Sequence, residues 1–415
     1  MRIRLAGMIV VTGLCALAAT EASAQTPPTQ DGEIVLNEQL QLGDVFSHQT
    51  INVVDAQEQV TVQTTSQGNN ASVAAQDVPV QVTSRQDMRG TSQATTDVDL
   101  DGDTQGVVNV AVQARGNYAE GSVYNSQMSV DAIQSNSGAL VGARAYVGGE
   151  DARLIGGGSI DAAAVSNTVA LYGEGSAVQA NVDQTSYATV QSYSRLESQY
   201  APGETQVSGA AIVNQISSNG AATTGQSLSY NQDSTGAYVQ GEASANSGNA
   251  WDLASRARAS ANQVVLANEG GSVVVEGTQN NTAFVRAAAE TYAYDYGAAE
   301  AHARGVANEV SVGNNDIFVQ IDNTQINSGG VDVSATFSGT NGYDAYVGAE
   351  AVGNSVTGYA CAQCNATMNA TNVQTNSGNV SAVSNSTVAG SGRAVITGAN
   401  AVGNQATFYV SRPSN

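Results

Sequence analysis

Lysine is absent from this 415-residue chain: all 14 basic residues are arginine, against 36 acidic ones, and the formal charge is −22. A field of that sign repels phosphate backbones and anionic membrane surfaces, which argues against nucleic acid as a partner. It favours solubility and divalent cations, and it keeps an adhesive β surface dispersed. Proline is nearly missing, with 5 residues, and aromatic residues make up only 5%. So few bulky side chains cannot fill several ordinary globular cores. Two histidines and three cysteines leave little material for a catalytic or metal centre. What fills the chain instead is Ala, Val, Ser, Thr, Asn and Gln, with 44 Gly and 16 Tyr. Small side chains in regular array point to thin, closely stacked β layers rather than to disorder.

The start of the chain reads as a secretory signal peptide over residues 1–24. Arg2 and Arg4 precede an uncharged apolar run, and Ala22-Ser23-Ala24 supplies the small-x-small cleavage pattern. The run is short for a spanning helix. Leu14 before Cys15 rules out a lipobox. Removing Arg2, Arg4 and Glu21 leaves 12 Arg against 35 acidic residues, a net charge of −23. We expect export by the Sec route and an outer-membrane, cell-surface or extracellular location. Residues 25–44 read as a polar leader in which Glu33 to Leu36 form a first edge strand. Residues 45–86 read as a degenerate capping repeat, residues 87–412 as about seven tandem repeats, and 413–415 as a tail. Pro413 blunts the last strand edge.

Two marks recur in step. Small residues ending in Asn appear as Ala164-Val165-Ser166-Asn167 and again at Asn214, Asn262, Asn308, Asn354 and Asn404, spaced 47, 48, 46, 46 and 50 residues apart. Earlier copies fall at Asn117 and Asn69. A Gln, often followed by Asn-Ser-Gly, occurs at Gln86, Gln134, Gln184, Gln232, Gln279, Gln325 and Gln374. The step from Asn to the next Gln is 17 or 18 residues in five consecutive copies, and 20 in the last. Two marks that hold phase this long define repeats of about 48 residues.

Within a repeat the alternation has period two. Gly330 to Phe337 reads as a strand, Gly339-Thr340-Asn341-Gly342 as a turn supplying positive φ, and Tyr343 to Val352 as the return strand. The fold class is all-β: an elongated β-solenoid with two coils per repeat, or alternatively a long antiparallel meander or sandwich. In the solenoid, Asn167, Asn214, Asn262, Asn308, Asn354 and Asn404 stack as an amide ladder. Gln134, Gln184, Gln232, Gln279, Gln325 and Gln374 stack as another, with rungs about 4.8 Å apart.

Three motifs stand apart from the repeat. Cys361-Ala362-Gln363-Cys364 lies in the copy with the longer step. In an oxidising compartment the pair is expected to form a local disulfide on an inserted turn. Zinc would need further soft ligands, and a redox role would need a helix start. Asp97, Asp99, Asp101 and Asp103 begin like a calcium loop, but Val108 stands where an EF-hand needs Glu. They read either as an acidic turn or as a weak calcium site. Calcium is thus the one cofactor the sequence leaves open. Tyr292, Tyr294 and Tyr296 fall at alternate positions, on one face of a strand, and Tyr343 and Tyr346 form a weaker pair. Such rings either cover a small-residue sheet or stack on sugar rings. No catalytic motif is present, so the chain is not expected to be an enzyme. A polysaccharide-degrading β-helix enzyme is the remaining catalytic alternative.

With its Asn-Ser-Gly marks, Ala-Val-Gly-Asn marks and late Cys-x-x-Cys, the chain resembles the holdfast anchor protein HfaD family of stalked alphaproteobacteria. The resemblance is clearest over Ala351 to Val410. It implies a cell-surface structural anchor or adhesin that retains an extracellular polysaccharide, alongside other surface-anchor proteins of the same system. It offers no catalytic residues. Self-assembly into a surface filament or amyloid-like matrix is the non-adhesive alternative, although the repeat is longer than in curlin.

Overall fold

A period-two pattern makes a strand without choosing its neighbour, because parallel and antiparallel pairs share the same alternation. The computed structural model describes residues 32–149, 151–316, 318–361 and 366–411, and it resolves that choice. The signal-peptide and tail assignments lie outside the described residues.

One sheet has eight strands: Glu33–Gln41, Val80–Met88, Gln127–Asn136, Ala177–Ser186, Gly225–Ser234, Ser272–Asn281, Phe318–Asn327 and Thr367–Asn376. Each is parallel to the next. The other sheet has 14 strands. Its longest members, Thr189–Ala221, Tyr238–Asn268, Phe284–Asn314 and Val331–Ala360, run 33, 31, 31 and 30 residues. They turn a corner while remaining paired in parallel to the turns before and after. The fold is therefore all-β, parallel and solenoid-like, and neither sheet closes into a barrel. The antiparallel meander or sandwich is excluded. So is the allotment of two coils to each repeat: Asn167 pairs directly with Asn214, and Asn262 with Asn308, so one repeat makes one coil. The chain enters this stack at the strand Glu33–Gln41, inside the segment read as a leader.

Each coil builds two cores. In Val331–Ala360, Val331, Val333, Ala335 and Phe337 face Ala345, Val347, Ala349 and Ala351 across one core. Val356 and Ala360 join Val319 and Ile321 in the second. Burial falls on odd positions up to Ala351 and on even positions from Val352 to Ala360, with the run Ala351 to Val356 buried throughout. Asn354 lies in that run. The residue before each Asn is skipped by the ladder: Val306 pairs with Val352, then Asn308 with Asn354. At Gly353 there is no room for a side chain, because a Cβ would lie 2.4 Å from the carbonyl oxygen of Gly403. The first mark is thus the point where the chain crosses from one core to the other.

From Asn69 to Asn354 and from Gln86 to Gln325 the amides at these marks are buried. Each Asn Nδ2 donates to the Asn Oδ1 of the following coil, from Asn69 through Asn117, Asn167, Asn214, Asn262, Asn308 and Asn354 to Asn404, at 2.7–2.9 Å. Each Gln Nε2 donates the other way, to the preceding coil, from Gln374 back through Gln325, Gln279, Gln232, Gln184, Gln134 and Gln86 to Gln39, at 2.8 Å. The second amide hydrogen ties the two layers together. Asn308 donates to Ile326 O at 2.9 Å, and Gln325 to Ser355 O at 3.0 Å. From Asn69 to Asn354 and from Gln86 to Gln374, each ladder amide meets its full donor requirement without water. The turn Asn also stacks, from Asn281 through Asn327 to Asn376.

The turn glycines serve contact rather than dihedral angle. Gly138, Gly329 and Gly378 of the Asn-Ser-Gly marks, and Gly342 of the expected turn, are not among the positive-φ residues. A Cβ at Gly329 would instead lie 2.0 Å from Ala283 O, and at Gly378 1.7 Å from Gly329 O. At these two coils the stacked turns leave no space for a side chain.

Glu309 occupies the column next to the Asn ladder, after Gln215 and Gln263. It accepts from Gln263 at 3.0 Å and pairs with Arg304 at 2.7 Å and Arg258 at 3.1 Å. Burial works against its carboxylate, but Arg304, then Arg258 and Gln263, outweigh burial and hold the carboxyl below the usual glutamate range. A depressed folded pKa gives stability that is present above the unfolded value, about 4.3, and is lost as pH falls through the folded one. Glu309→Gln is therefore expected to cost about 2 kcal/mol at neutral pH. The gap from wild type should begin to narrow in urea melts below about pH 4 and close only below the folded pKa. An equal gap at pH 7 and at acid pH contradicts this account.

Candidate functional site

Outward positions can serve function because the interior is occupied by packing and ladders. An exposed aromatic surface sits at the corner of the long strands. There Trp251, Gly297 and Tyr343 occupy equivalent positions in successive coils: Asp252 pairs with Ala298 and Ala298 with Asp344, while the corner residues themselves are skipped. Trp251 is the single tryptophan of the chain and is 62% exposed. Its indole lies over Gly297, where a Cβ would meet Cδ2 and Cε3 at 2.8 and 2.9 Å. It meets Tyr343, two coils along and 50% exposed, edge to face at 5.9 Å. The chain opposite Trp251 is displaced by an irregularity between Ala201 and Glu204, which brings Tyr200 and Pro202 to the rim.

These residues line a groove of about 580 Å³. One column of polar residues runs along it, Asn249, Asp295 and Asn341, in register on three coils. Asn341 Nδ2 donates to Asp295 Oδ1 at 3.3 Å. The cation at one end of the groove, Arg393, lies 5.5 Å from the Tyr343 ring and is paired with Asp344. That pairing lowers the Asp344 pKa and raises that of Arg393. Burial, then the charges of Glu204 and Glu300, raise the pKa of Asp252 beside Trp251, partly offset by Arg256. The groove is thus aromatic, amide-lined and weakly acidic.

The five tyrosines singled out by sequence are separated. Tyr292 and Tyr294 point outward, 40% and 52% exposed, but Tyr296 turns inward at 4%. The corner shifts the alternation between Tyr294 and Tyr296, so the three do not share a face. Tyr296 packs edge to face on Phe337 at 4.9 Å and lies beneath the groove. Tyr343 forms one wall. Tyr292 belongs to a second, charged groove with Tyr193, Arg195, Glu242, Arg286 and Glu290. Tyr346 is exposed one coil from Glu300. Trp251, Gly297 and the Asn249–Asp295–Asn341 column were missed by sequence reasoning. Their signal is a lone tryptophan one repeat before a glycine and two before a tyrosine.

The four aspartates are not gathered. Asp97 and Asp99 sit on the strand Ser92–Leu100, where successive same-face residues stand about 7 Å apart. Asp97 pairs with Arg144 at 2.6 Å and Asp103 with Arg153 at 3.1 Å, each on the next coil. Among the described residues no group of three or more His, Cys, Asp or Glu is placed to hold a metal ion. Cys361 is buried at the end of Val331–Ala360, and Cys364 lies outside the described residues.

Compared with known proteins, residues 54–330 match the sequence model of the family described as HfaD, holdfast attachment protein D. No curated protein and no solved structure matched the chain.

Proposed function

The chain belongs to the holdfast attachment protein D family, and from that premise we propose that it is a non-catalytic anchor retaining an extracellular polysaccharide at the bacterial envelope. Family membership gives a holdfast-related attachment role at the cell surface or outside the cell. The observation that carries the finer reading is the amide-locked stack. Its interior Asn and Gln amides are committed to the ladders, and one side presents amide and acidic side chains in register over three coils beside exposed aromatic rings. A scaffold with that repeat can contact successive units of a polymer, so weak single contacts add through effective concentration. Sec export, a Cys361–Cys364 disulfide pinning the last turn, and partner anchor proteins of the same system belong to this reading.

A second reading is favoured by the ends of the stack. Leu36, Leu40 and Phe46 are exposed at the first coil, and Val395, Ile396, Phe408 and Tyr409 at the last. Asn404 accepts from Asn354 and has no onward acceptor among the described residues. The amide polarity is the same in every coil, so one copy's last coil is complementary to another's first, and translation without closure yields a filament.

Deletion of the gene, followed by complementation with wild type or with Ile396→Glu, tests both. We expect the deletion strain to shed its polymer and lose attachment, and both complements to restore it. Normal polymer retention in the deletion strain would defeat the anchor reading. Restoration by wild type alone, with fibres seen only in that strain, would make the filament the functional form.

A further inference from the structure

We infer that the Trp251 groove is a binding site for neutral pyranose units of the retained polysaccharide, an inference that rests on the anchor reading above and names the site through which it works. One packing device recurs in this stack, with Phe284 over Gly330 and His302 over Gly348 among its surface instances. Where one coil has glycine, an aromatic ring from the preceding coil lies across the gap. Tyr230 lies over Gly277 and donates its hydroxyl to Asn323, two coils away from its own. Tyr296 lies over Gly342. Both rings are 4% exposed, covered by the layer opposite. Trp251 over Gly297 repeats the arrangement on the outside, with nothing described above it and 62% of the residue accessible. The fold has positioned the largest side chain in the protein as a platform. Leaving that much indole in water forfeits the burial that stabilises the Tyr230 and Tyr296 rings.

The chemistry beside the platform selects the ligand. A pyranose ring has an apolar C–H face that stacks on an indole and equatorial hydroxyls that need planar acceptors and donors at its edge. Asn249, Asp295 and Asn341 supply both, repeated at the coil spacing along the groove. Tyr343 and Tyr200 close the ends. The volume of about 580 Å³ is in the range of small-molecule sites. Charge narrows the class. Among the described residues Asp295 has no arginine partner, and the cations beside the end rings, Arg393 at Tyr343 and Arg153 at Tyr200, are paired with Asp344 and Asp103. A uronate or sulfated unit would meet an unopposed carboxylate within a strongly acidic protein, whereas a neutral ring meets only hydrogen-bonding groups.

Because Trp251 is the only tryptophan, its fluorescence reports on this groove alone. The cells' own extracellular polysaccharide is separated by anion exchange into neutral and acidic fractions, and each is titrated into the purified chain. The neutral fraction is expected to shift the emission to shorter wavelength and to bind in equilibrium dialysis. Trp251→Ala and Tyr343→Ala, which removes the ring set edge to face against the indole, are each expected to weaken that binding at least tenfold. Tyr187→Ala, at another exposed ring, is expected to leave it unchanged; an equal loss there would deny the groove its special role. If neither fraction binds the wild-type chain, the anchor reading fails and the site with it. If the neutral fraction binds and both groove variants retain wild-type affinity, the anchor reading stands and the site is refuted. Preference for the acidic fraction, or displacement of the neutral fraction by a proline-rich peptide, which also suits aromatic grooves, overturns the ligand class.

Discussion

Asn262→Leu is expected to lower the stability of the coils around it by about 3–6 kcal/mol. Asn262 is fully buried. It donates to Asn308 Oδ1 at 2.8 Å and to Asn280 O at 2.9 Å, and accepts from Asn214 Nδ2 at 2.9 Å. Leucine has nearly the same length but removes all three bonds. The amide hydrogen of Asn214 and the oxygen of Asn308 are then left in a dry interior, and each orphaned group costs about 1–3 kcal/mol beyond the bond itself. Asn404→Leu is the matched control: its ladder bond is the same, but the residue is exposed in the last coil, and the loss should be near 1 kcal/mol. Urea denaturation followed by circular dichroism measures the difference. Stacked repeats can unfold in parts, so amide exchange at residues near 214 and 308 should show where protection is lost. Equal midpoints for the two variants would mean that the ladder is ornamental to stability.

Gly241→Val is expected to cost at least 3 kcal/mol, at or beyond the top of the usual overpacking range of about 1–3 kcal/mol. A Cβ at Gly241 would lie 2.0 Å from Arg258 O and 2.7 Å from Arg258 C. Both are backbone atoms of the facing layer, held by parallel ladders on either side, so no rotamer change relieves the clash. The same column carries Ala287 and then Val333 in the following coils. Val333 is accommodated because Gly305 faces it; a Cβ there would meet Val333 Cγ2 at 2.7 Å. Size is therefore matched across the core coil by coil, not along a column. The check is thermal unfolding of Gly241→Val against Ala287→Val, which copies a neighbouring residue type into the same column. A Gly241→Val protein that melts with wild type would show that the layers move apart freely.

Much of this architecture is visible in the chain before it folds. Asn167, Asn214 and Asn262 are spaced so regularly that they must be structurally equivalent, and alternation around Val331 to Phe337 can only be a half-buried strand. The site is less visible. Trp251 acquires meaning from Gly297 and Tyr343, which lie one and two coils away, and no local pattern connects them. Tyr292, Tyr294 and Tyr296 look equivalent by alternation. The corner that turns Tyr296 into the core is produced by contacts with Phe337 and Gly342 on other coils. The Asn-Ser-Gly glycines invite a dihedral explanation, and only their neighbours across the stack reveal that space is the reason.

By itself the sequence determined that the protein is β, repetitive, acidic and lysine-free, with amides recurring once per unit, because these properties follow from composition and from near-neighbour spacing. Only the tertiary structure decided that one unit makes one turn, that all pairing is parallel, that the two amide ladders run with opposite polarity, and that a single tryptophan is left uncovered at a corner. Those outcomes depend on register between residues nearly fifty positions apart. Register is fixed by which side chains fit together across coils, which no stretch of chain contains alone.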